Sequence, residues 1–442
     1  MKLNKLLYRF NEIAGSGDSR TQLIMIYTFS ILSIIFLGIG TEITFSTDTA
    51  SYLDAGTTII NGNIDQFRTP LYPLICYLPR LFNSPSAYFL IVLVQQLIFL
   101  LSVYAFYQTA RIIIRSNKTV FFSTIFYACC PGIILWNQCI LSESPAISGM
   151  VFFIYSLAKF IHRPTLKTAL YSNLFLFLLI MLRPGFIYLI PVNLLFWGYL
   201  LLKKRNRITT AGISGALLVS ALFTLYCIRF QKEYQLFSLS VVGMYNQYYL
   251  LRKADFINVN EIYTNNENLK KDLLKTLPDK EISVYDEEVK PLAGKYGYAA
   301  INDLVRNTIR KHSEEYLLMT AKRFHQINSF KIFNVYAEMD SQIVKAYAYG
   351  ILFIFNLTFR IIYFFLTVYG ICLICFSFKK KRIPALSAAM WIITACHLFS
   401  TIAGAQSEWS RLLVPCTPIL ILMACQCIDQ FTIKKKKEAI FF

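Results

Sequence analysis

The polar stretch 41–79, which follows the first hydrophobic segment, contains an acid and an arginine that could act together. Asp48 could serve as a general base that takes a proton from an attacking hydroxyl or amine, or it could cap the helix that follows it. Arg68 precedes two prolines, and its planar guanidinium group suits bidentate binding of a phosphate. An arginine at the end of a membrane span could equally extend its head group to the interface. The pair predicts a site that handles a proton and an anionic lipid at the membrane surface.

Other charged residues lie near the same predicted membrane face. Glu143 occupies a short loop, where it could supply a second acid or cap the next helix. Arg183 and Arg411 lie at outer ends of spans, against the usual bias of basic residues toward the cytoplasm. Three arginines at one face indicate an anion, and pairing between helices, such as Glu408 with an arginine, is the alternative. We expect the substrate cavity to be lined by Tyr52, Tyr72 and Glu408.

The motifs of several enzyme and pump classes are absent from the sequence. It contains no HExxH, no Walker motif, no paired-cysteine metal pattern and no dinucleotide-binding glycine motif. His397 lies within an apolar span, where a hydrogen-bonded histidine of the helix bundle is the simpler interpretation than a metal ligand. These observations argue against ATP-driven pumps and soluble-nucleotide transferases, and no cofactor is expected.

Composition predicts an integral membrane protein. Of the 442 residues, 56% are hydrophobic and only 16% are charged, with a mean hydropathy of +0.48, whereas soluble chains are about 25% charged. The net charge of +19 does not indicate nucleic-acid binding, because most of the excess lies in basic clusters that flank apolar segments. The segment 231–340 carries 15 basic and 15 acidic residues and is therefore neutral.

Apolar segments of about 20 residues predict ten membrane spans. These are 23–40, 87–110, 120–135, 145–161, 168–182, 186–202, 209–230, 353–378, 384–403 and 412–431. Every basic cluster then falls on one side, which predicts that both termini are cytoplasmic. We expect an N-terminal transmembrane module (1–230, with a first outer loop at 41–86), an extracytoplasmic domain (231–342) and a C-terminal transmembrane module (343–442). The predicted fold is all-α, with juxtamembrane helices in the first outer loop and a small, mainly helical outer domain.

Five local motifs, in order, resemble the polytopic GT-C glycosyltransferases. The most specific are the acid of the first outer loop followed by R-T-P-L-Y-P at 68–73, and S-E-W-S-R-L-L-V-P-C-T-P at 407–418. The others are L-S-E at 141–143, R-P at 183–184 and N-T-I-R-K-H-S-E-E-Y-L at 307–317. The set is most similar to glycosyltransferase family 39, with protein O-mannosyltransferases and lipid A aminoarabinose transferases as better-known relatives. Asp48 stands alone, with Thr49 beside it, where many relatives have an acidic pair.

The resemblance implies a role for each charged residue. Asp48 would be the catalytic base, Glu143 a second catalytic acid near the acceptor, and Arg68, Arg183 and Arg411 the contacts of the donor phosphate. The donor would be a sugar on a polyprenyl phosphate, transferred with inversion to an extracytoplasmic glycan, lipid or protein. The scheme demands no metal, although some relatives bind one. The location would be a bacterial cytoplasmic membrane, with the active site on the extracytoplasmic side.

Two other classes of function remain open at this point. A secondary transporter or lipid-linked sugar flippase would have ionisable groups near the middle of the bilayer and interrupted, repeated spans. The charged residues of this sequence gather instead at one predicted face. A polysaccharide polymerase or ligase of another polytopic fold would also use outer arginines and a large outer loop. A transferase of the proposed kind is distinguished by its need for Asp48 just after the first span.

Overall fold

The computed structural model describes residues 2–39, 42–82, 85–278, 283–326, 342–354, 356–357, 385–404 and 409–439. The described residues form helices and connecting loops, without a β-strand among them. Two isolated backbone pairs, Thr44 with Cys139 and Asn258 with Glu261, are the β-type contacts found there.

The described residues between 2 and 234 form twelve α-helices. They are α1 Lys2–Ser16, α2 Ser19–Ile39, α3 Thr47–Ile60, α4 Leu71–Cys76, α5 Leu78–Leu81, α6 Phe89–Ile113, α7 Asn117–Cys129, α8 Pro131–Ile134, α9 Glu143–His162, α10 Leu166–Leu182, α11 Leu189–Lys203 and α12 Arg207–Tyr234. Short 3₁₀ turns occupy Pro85–Tyr88, Leu135–Gln138 and Pro184–Phe186.

The remaining helices form an outer group and a second set of apolar helices. They are α13 Val242–Lys253, α14 Glu267–Thr276, a π-helical turn Val284–Val289, α15 Lys290–Tyr296, α16 Tyr298–Lys311, α17 Ser313–Gln326, α18 Gln342–Ile354, α19 Ala385–Gly404, α20 Trp409–Leu413 and α21 Thr417–Ala439. A 3₁₀ turn at Val414–Cys416 joins the last two.

Seven segments of the described residues are long and apolar enough to cross a membrane, so the protein is an α-helical integral membrane protein. They are Ser19–Gly38, Phe89–Ile113, Glu143–His162, Pro184–Lys203, Arg207–Tyr234, Leu386–Gly404 and Arg411–Asp429. Each corresponds to one of the ten predicted spans. Of the other three, 120–135 is a bent pair of helices, 168–182 is the shorter apolar helix α10, and 353–378 lies almost wholly outside the described residues.

Pro131 causes the bend between α7 and α8. Proline lacks an N–H group and disfavours a helical conformation at the residue before it, and Cys130 is accordingly extended. The two helices meet at 48°. After this break the backbone reaches Thr44, whose N–H donates to Gln138 O at 2.9 Å, while Ile140 N–H donates to Thr44 O at 3.2 Å. The bend therefore joins the loop after α2 to the residues just before α9.

The end of the helix bundle that carries Glu143 is opposite to the end that carries the basic clusters. Helix α9 begins at Glu143 and has Lys159 and His162 in its last turn, so these ends are separated by about 24 Å. Helix α11 likewise ends at Lys203, beside a basic cluster. The acid and arginine residues singled out above are thus at the end of the bundle that is opposite to the basic clusters.

The outer helices have a hydrophobic core of their own. Residues of α13 to α16, including Tyr248, Leu251, Leu269 and Leu304, are fully buried in it. His312 separates α16 from α17. The proposed boundaries of the outer domain stay predictions.

Candidate functional site

Asp48 lies in the first turn of α3, but it does not cap that helix. The N-cap is Ser46, whose N–H group donates to Thr49 Oγ1 at 2.9 Å. The alternative reading of Asp48 as the cap residue is therefore wrong. Its carboxylate is used for side-chain contacts instead. Arg68 Nη2 donates to Oδ1 at 2.7 Å, and Arg411 Nη2 donates to Oδ2 at 2.6 Å.

Arg68 is held against one face of α3. Its Nε donates to Ser51 Oγ at 2.9 Å, and its guanidinium carbon lies 4.1 Å from the centre of the Tyr52 ring. Asp48, Ser51 and Tyr52 are spaced i, i+3 and i+4, so they share that face of the helix. A snorkelling arginine keeps its head group in water, whereas the Arg68 side chain is only 16% exposed. Ser51 was not anticipated as a site residue, although its spacing from Asp48 is a usable signal.

The backbone before Arg68 is fixed by several other contacts. Asp65 Oδ1 accepts hydrogen bonds from the N–H groups of Phe67 and Arg68 at 2.8 and 2.7 Å. From the other side, Tyr234 donates its hydroxyl to Ile64 O at 2.6 Å, and Val241 N–H donates to Gln66 O at 2.9 Å. The end of α12 and the start of the outer helices therefore determine where Arg68 lies.

Glu143 joins the other two arginines to this group. It is the first residue of α9 and follows the N-cap Ser142, so Glu143 is not itself the cap. Its Oε1 accepts a hydrogen bond from Arg411 Nε and lies 3.2 Å from Arg183 Nη1. The result is a continuous row of alternating charge, Arg68–Asp48–Arg411–Glu143–Arg183, which we call the charge network. Three guanidinium groups and two carboxylates give it a formal charge of +1.

The charge network runs from the protein surface to its interior. The Asp48 side chain is 31% exposed, those of Arg68, Arg183 and Arg411 are 10–16% exposed, and that of Glu143 is 0% exposed. A molecule that enters from solvent would therefore meet Asp48 first. Glu143 lies behind Arg183 and Arg411, where it can position them but cannot touch an acceptor. The structure thus moves Glu143 from the predicted second catalytic acid to a support for the arginines.

The environment of Asp48 decides its protonation state. Burial raises the pKa of the carboxyl, but the charges of Arg68 and Arg411 and their hydrogen bonds outweigh it, so the pKa is lowered from its ordinary value. The group is an ionised carboxylate at neutral pH. Each of its oxygens has a further lone pair beyond the one that an arginine uses, so Asp48 can accept another hydrogen bond.

Tyr52 and Tyr72 form a buried layer behind the charge network and do not line an open cavity. Tyr52 is 5% exposed and its hydroxyl lies 2.8 Å from Ser142 Oγ. Tyr72 is 0% exposed, meets Tyr52 edge to face at 4.8 Å, and donates to Gln95 Oε1 at 2.8 Å. The expectation that these two rings contact substrate is corrected accordingly, since Tyr52 packs against Arg68 and Ser142, and Tyr72 packs against Tyr52 and Gln95. Glu408, the third predicted cavity residue, lies outside the described residues.

His397 positions the segment that carries Arg411. Its Nε2 lies 2.9 Å from Leu412 O, and its Nδ1 lies 3.0 Å from the Tyr188 hydroxyl. A carbonyl oxygen can only accept, so Nε2 carries the proton and Nδ1 accepts from Tyr188. Both ring nitrogens are thus satisfied, as expected for a histidine of the bundle. No group of three or more potential metal ligands occurs among the described residues.

Comparisons with known protein families and curated proteins identify no relative of this chain. None of the protein-family models matches the chain, and a search of curated proteins gives no significant match. The site and the fold therefore carry the functional argument.

Proposed function

We propose that the protein is a membrane glycosyltransferase that moves a sugar from a polyprenyl-phosphate donor to an extracytoplasmic glycan, lipid or protein. The observation that carries the proposal is the charge network. It has one more guanidinium group than carboxylates, and its accessible end places an ionised acid between two arginines. An arginine pair suits a phosphate, and a neighbouring carboxylate suits the proton of the attacking hydroxyl.

The proposed reaction is a single displacement at the anomeric carbon. The acceptor oxygen forms a bond to that carbon from the face opposite the phosphate, and the bond between the carbon and the phosphate oxygen breaks. The electron pair leaves with polyprenyl phosphate, whose additional negative charge is stabilised by Arg68 and Arg411. The proton of the acceptor passes to Asp48. Inversion at the anomeric carbon follows from attack opposite the leaving group.

Donor binding would also change the pKa of Asp48. With both arginines paired to it, the Asp48 carboxylate is a weak base, because its pKa is lowered. A phosphate that accepts hydrogen bonds from Arg68 and Arg411 would draw part of their charge away from Asp48. The pKa of the carboxyl would then rise, and Asp48 would become a better proton acceptor at the moment when the donor is in place.

The charge network supports a position at the extracytoplasmic face. It lies at the end of the bundle opposite the basic clusters, and the positive-inside rule assigns those clusters to the cytoplasm. We therefore propose a GT-C-like arrangement of about ten spans in a bacterial cytoplasmic membrane, with both termini inside. A transporter is less well supported, because the charged residues of this network meet at one end of the spans and not at mid-depth.

Mass spectrometry of lipid-linked sugars and envelope glycans, with and without the protein, tests the proposal. Cells that lack the protein should accumulate a polyprenyl-monophosphate sugar, and an envelope glycan, lipid or protein should lack one sugar unit. If the protein were a polymerase or ligase, cells that lack it would instead accumulate a diphosphate-linked oligosaccharide. Transfer by the purified protein from a synthetic polyprenyl-phosphoryl sugar, with inverted anomeric configuration in the product, is the direct check. Retained configuration would contradict single displacement.

A further inference from the structure

Aromatic residues of the outer helices form a continuous cluster that ends next to Arg68. The Phe67 ring lies 5.9 Å from the Tyr245 ring, which in turn lies 4.8 Å from Tyr285 and 6.3 Å from Tyr298. Tyr298 also donates its hydroxyl to Gln66 Oε1. We call Phe67, Tyr245, Tyr285 and Tyr298 the aromatic cluster. It connects the loop that carries Arg68 to three separate helices of the outer group.

The exposure of these rings differs in a way that matters for binding. Tyr245 is 1% exposed and belongs to the hydrophobic core of the outer helices. Phe67, Tyr285 and Tyr298 are half-buried, so each retains some exposed surface. Tyr245 is thus the buried centre of the cluster, and the other three lie at its partly exposed edge.

Tyr285 is also close enough to the charge network to respond to it. Burial raises the pKa of its hydroxyl, and the charges of Arg68 and Asp48 act on the same hydroxyl with opposite sign. Phe67, the neighbour of Arg68 in the chain, is also joined to Tyr285 through the Tyr245 ring, so two ring contacts separate Tyr285 from the residue next to Arg68. A molecule with a charged group at Arg68 would have its neighbouring portion beside Tyr285.

The backbone that carries Tyr285 is unusual and is held from its other side. Residues Val284–Val289 form a π-helical turn, a rare geometry that frequently occurs at functional sites. Glu288 in this turn is fully buried, where it accepts a hydrogen bond from the Tyr248 hydroxyl at 2.5 Å and lies 3.5 Å from Arg252 Nε. These contacts hold the turn that carries Tyr285.

We propose that the aromatic cluster is a carbohydrate subsite, in which a pyranose ring stacks on Tyr285 next to the charge network. The inference rests on the proposed function and deepens it by assigning the recognition of sugar to the outer helices. One face of a pyranose consists of C–H groups with partial positive charge, and the face of an aromatic ring is negative. The sugar is either the one being transferred or the one that accepts it, and both have this chemistry.

Binding measurements with two lipids test the inference. The probes are a polyprenyl phosphate without sugar and polyprenyl-phosphoryl hexoses, applied to purified full-length protein. If the cluster holds the donor sugar, Tyr285→Leu should weaken binding of the glycosylated lipid by about tenfold and leave the bare lipid unchanged. Tyr285→Phe, which keeps the ring, should stay within about threefold of wild type.

The matched control is Tyr263→Leu. Tyr263 is also a half-buried tyrosine, in the loop between α13 and α14, but its ring contacts His312 at 5.7 Å, at the opposite end of α16 from Tyr298 and about 20 Å away. Its substitution should affect neither lipid. Thermal unfolding of all three variants shows whether a loss of binding reflects loss of the fold.

The outcomes separate the two proposals. If Tyr285→Leu binds both lipids normally but raises KM for the acceptor about tenfold, the cluster binds the acceptor sugar. If a folded Tyr285→Leu matches Tyr263→Leu in both measurements, the carbohydrate subsite is overturned and the glycosyltransferase proposal stands. If wild-type protein binds neither lipid, the proposed function is overturned, and the subsite with it.

Discussion

Asp48 and Arg411 lie 363 residues apart in the sequence, yet Arg411 Nη2 donates to Asp48 Oδ2 at 2.6 Å. The bond connects the first turn of α3 to the segment before the last membrane span. Because Arg411 also donates to the buried Glu143, its guanidinium group spans the distance between the interior acid and the accessible one. Asp48 can therefore be held in place by a residue that itself has very little freedom.

Replacement of Asp48 by asparagine should abolish most transfer. The amide can accept a hydrogen bond from one arginine but cannot act as a base, so turnover should fall by about 10² to 10⁴. Expression should be retained, because Ser46 caps α3. Asp54→Asn is the matched control on the same helix: its carboxylate is 79% exposed and pairs with Arg80 at 3.5 Å, an interaction of little energetic value. Wild-type turnover in Asp48→Asn would contradict the mechanism.

Substitution of Arg68 should affect donor binding more than folding. Arg68→Ala should weaken binding of a polyprenyl-phosphate donor by about tenfold to a hundredfold, because it removes charged hydrogen bonds to the phosphate. Arg68→Lys should recover only part, since an ammonium group cannot contact Asp48 and Ser51 in the way that the planar fork does. Arg80→Ala, at an exposed arginine nearby, should leave affinity unchanged. Equal affinities for all three variants would exclude Arg68 as the phosphate contact.

Glu143 and Arg183 should behave as a coupled pair in stability measurements. Glu143→Gln leaves two arginines without their buried counter-charge, and removal of one partner of a buried ion pair typically costs about 3–5 kcal/mol. Removing Arg183 as well, in Glu143→Gln/Arg183→Gln, should restore part of the loss. Thermal unfolding in detergent of the wild type, the two single variants and the double variant gives the double-mutant cycle. Glu42→Gln, at an exposed acid, is the control. Strictly additive effects would show that the two side chains do not interact.

The stability that Asp48 provides should depend on pH only in strongly acidic solution. Its pKa is lowered from 3.8, so the stabilisation is complete above that value and disappears as the pH falls through the lower, folded-state pKa. The difference in Tm between wild type and Asp48→Asn should thus be constant from about pH 5 to pH 8. In an Arg68→Gln background the pKa of Asp48 should rise, because burial persists while one cation is lost. There the difference should begin to shrink at a higher pH, and an unchanged profile would mean that Arg68 does not act on Asp48.

Thiol labelling in intact cells tests the orientation of the bundle. Cysteines placed at Asn63 and Asn265, both exposed, should react with an impermeant maleimide in a background without reactive native cysteines. A cysteine at Arg205 should react only after the membrane is opened. Arg205 is preferable to Asn206, whose side chain accepts hydrogen bonds from the first turn of α12. Labelling at position 205 together with protection at position 265 would show that the topology is inverted and that the charge network lies on the cytoplasmic side.

The class of the protein, an α-helical membrane protein, and the identities of its charged groups can be predicted from the amino-acid sequence alone. Apolar segments of about 20 residues predict membrane helices because a bilayer has no partners for exposed backbone groups. Seven of the ten predicted spans correspond to long apolar helices. Asp48, Arg68, Glu143, Arg183 and Arg411 are recognisable from the sequence because they lie at the outer ends of predicted spans, where arginines run against the usual bias of basic residues toward the cytoplasm.

The pairing of these residues and their surroundings depend on how the helices pack. Local sequence cannot show that Asp48 is bonded to Arg411, or that Glu143 is buried behind two arginines, because those contacts depend on how four helices and a loop pack. For the same reason Tyr72 was expected in the cavity and is fully buried, and the break at Pro131 brings Cys139 beside Thr44. The aromatic cluster likewise arises from three outer helices and the loop before Arg68, which are adjacent in space and separated by up to 231 residues in the chain. Charge and hydropathy are properties of each residue, whereas burial and partnership belong to the packed molecule.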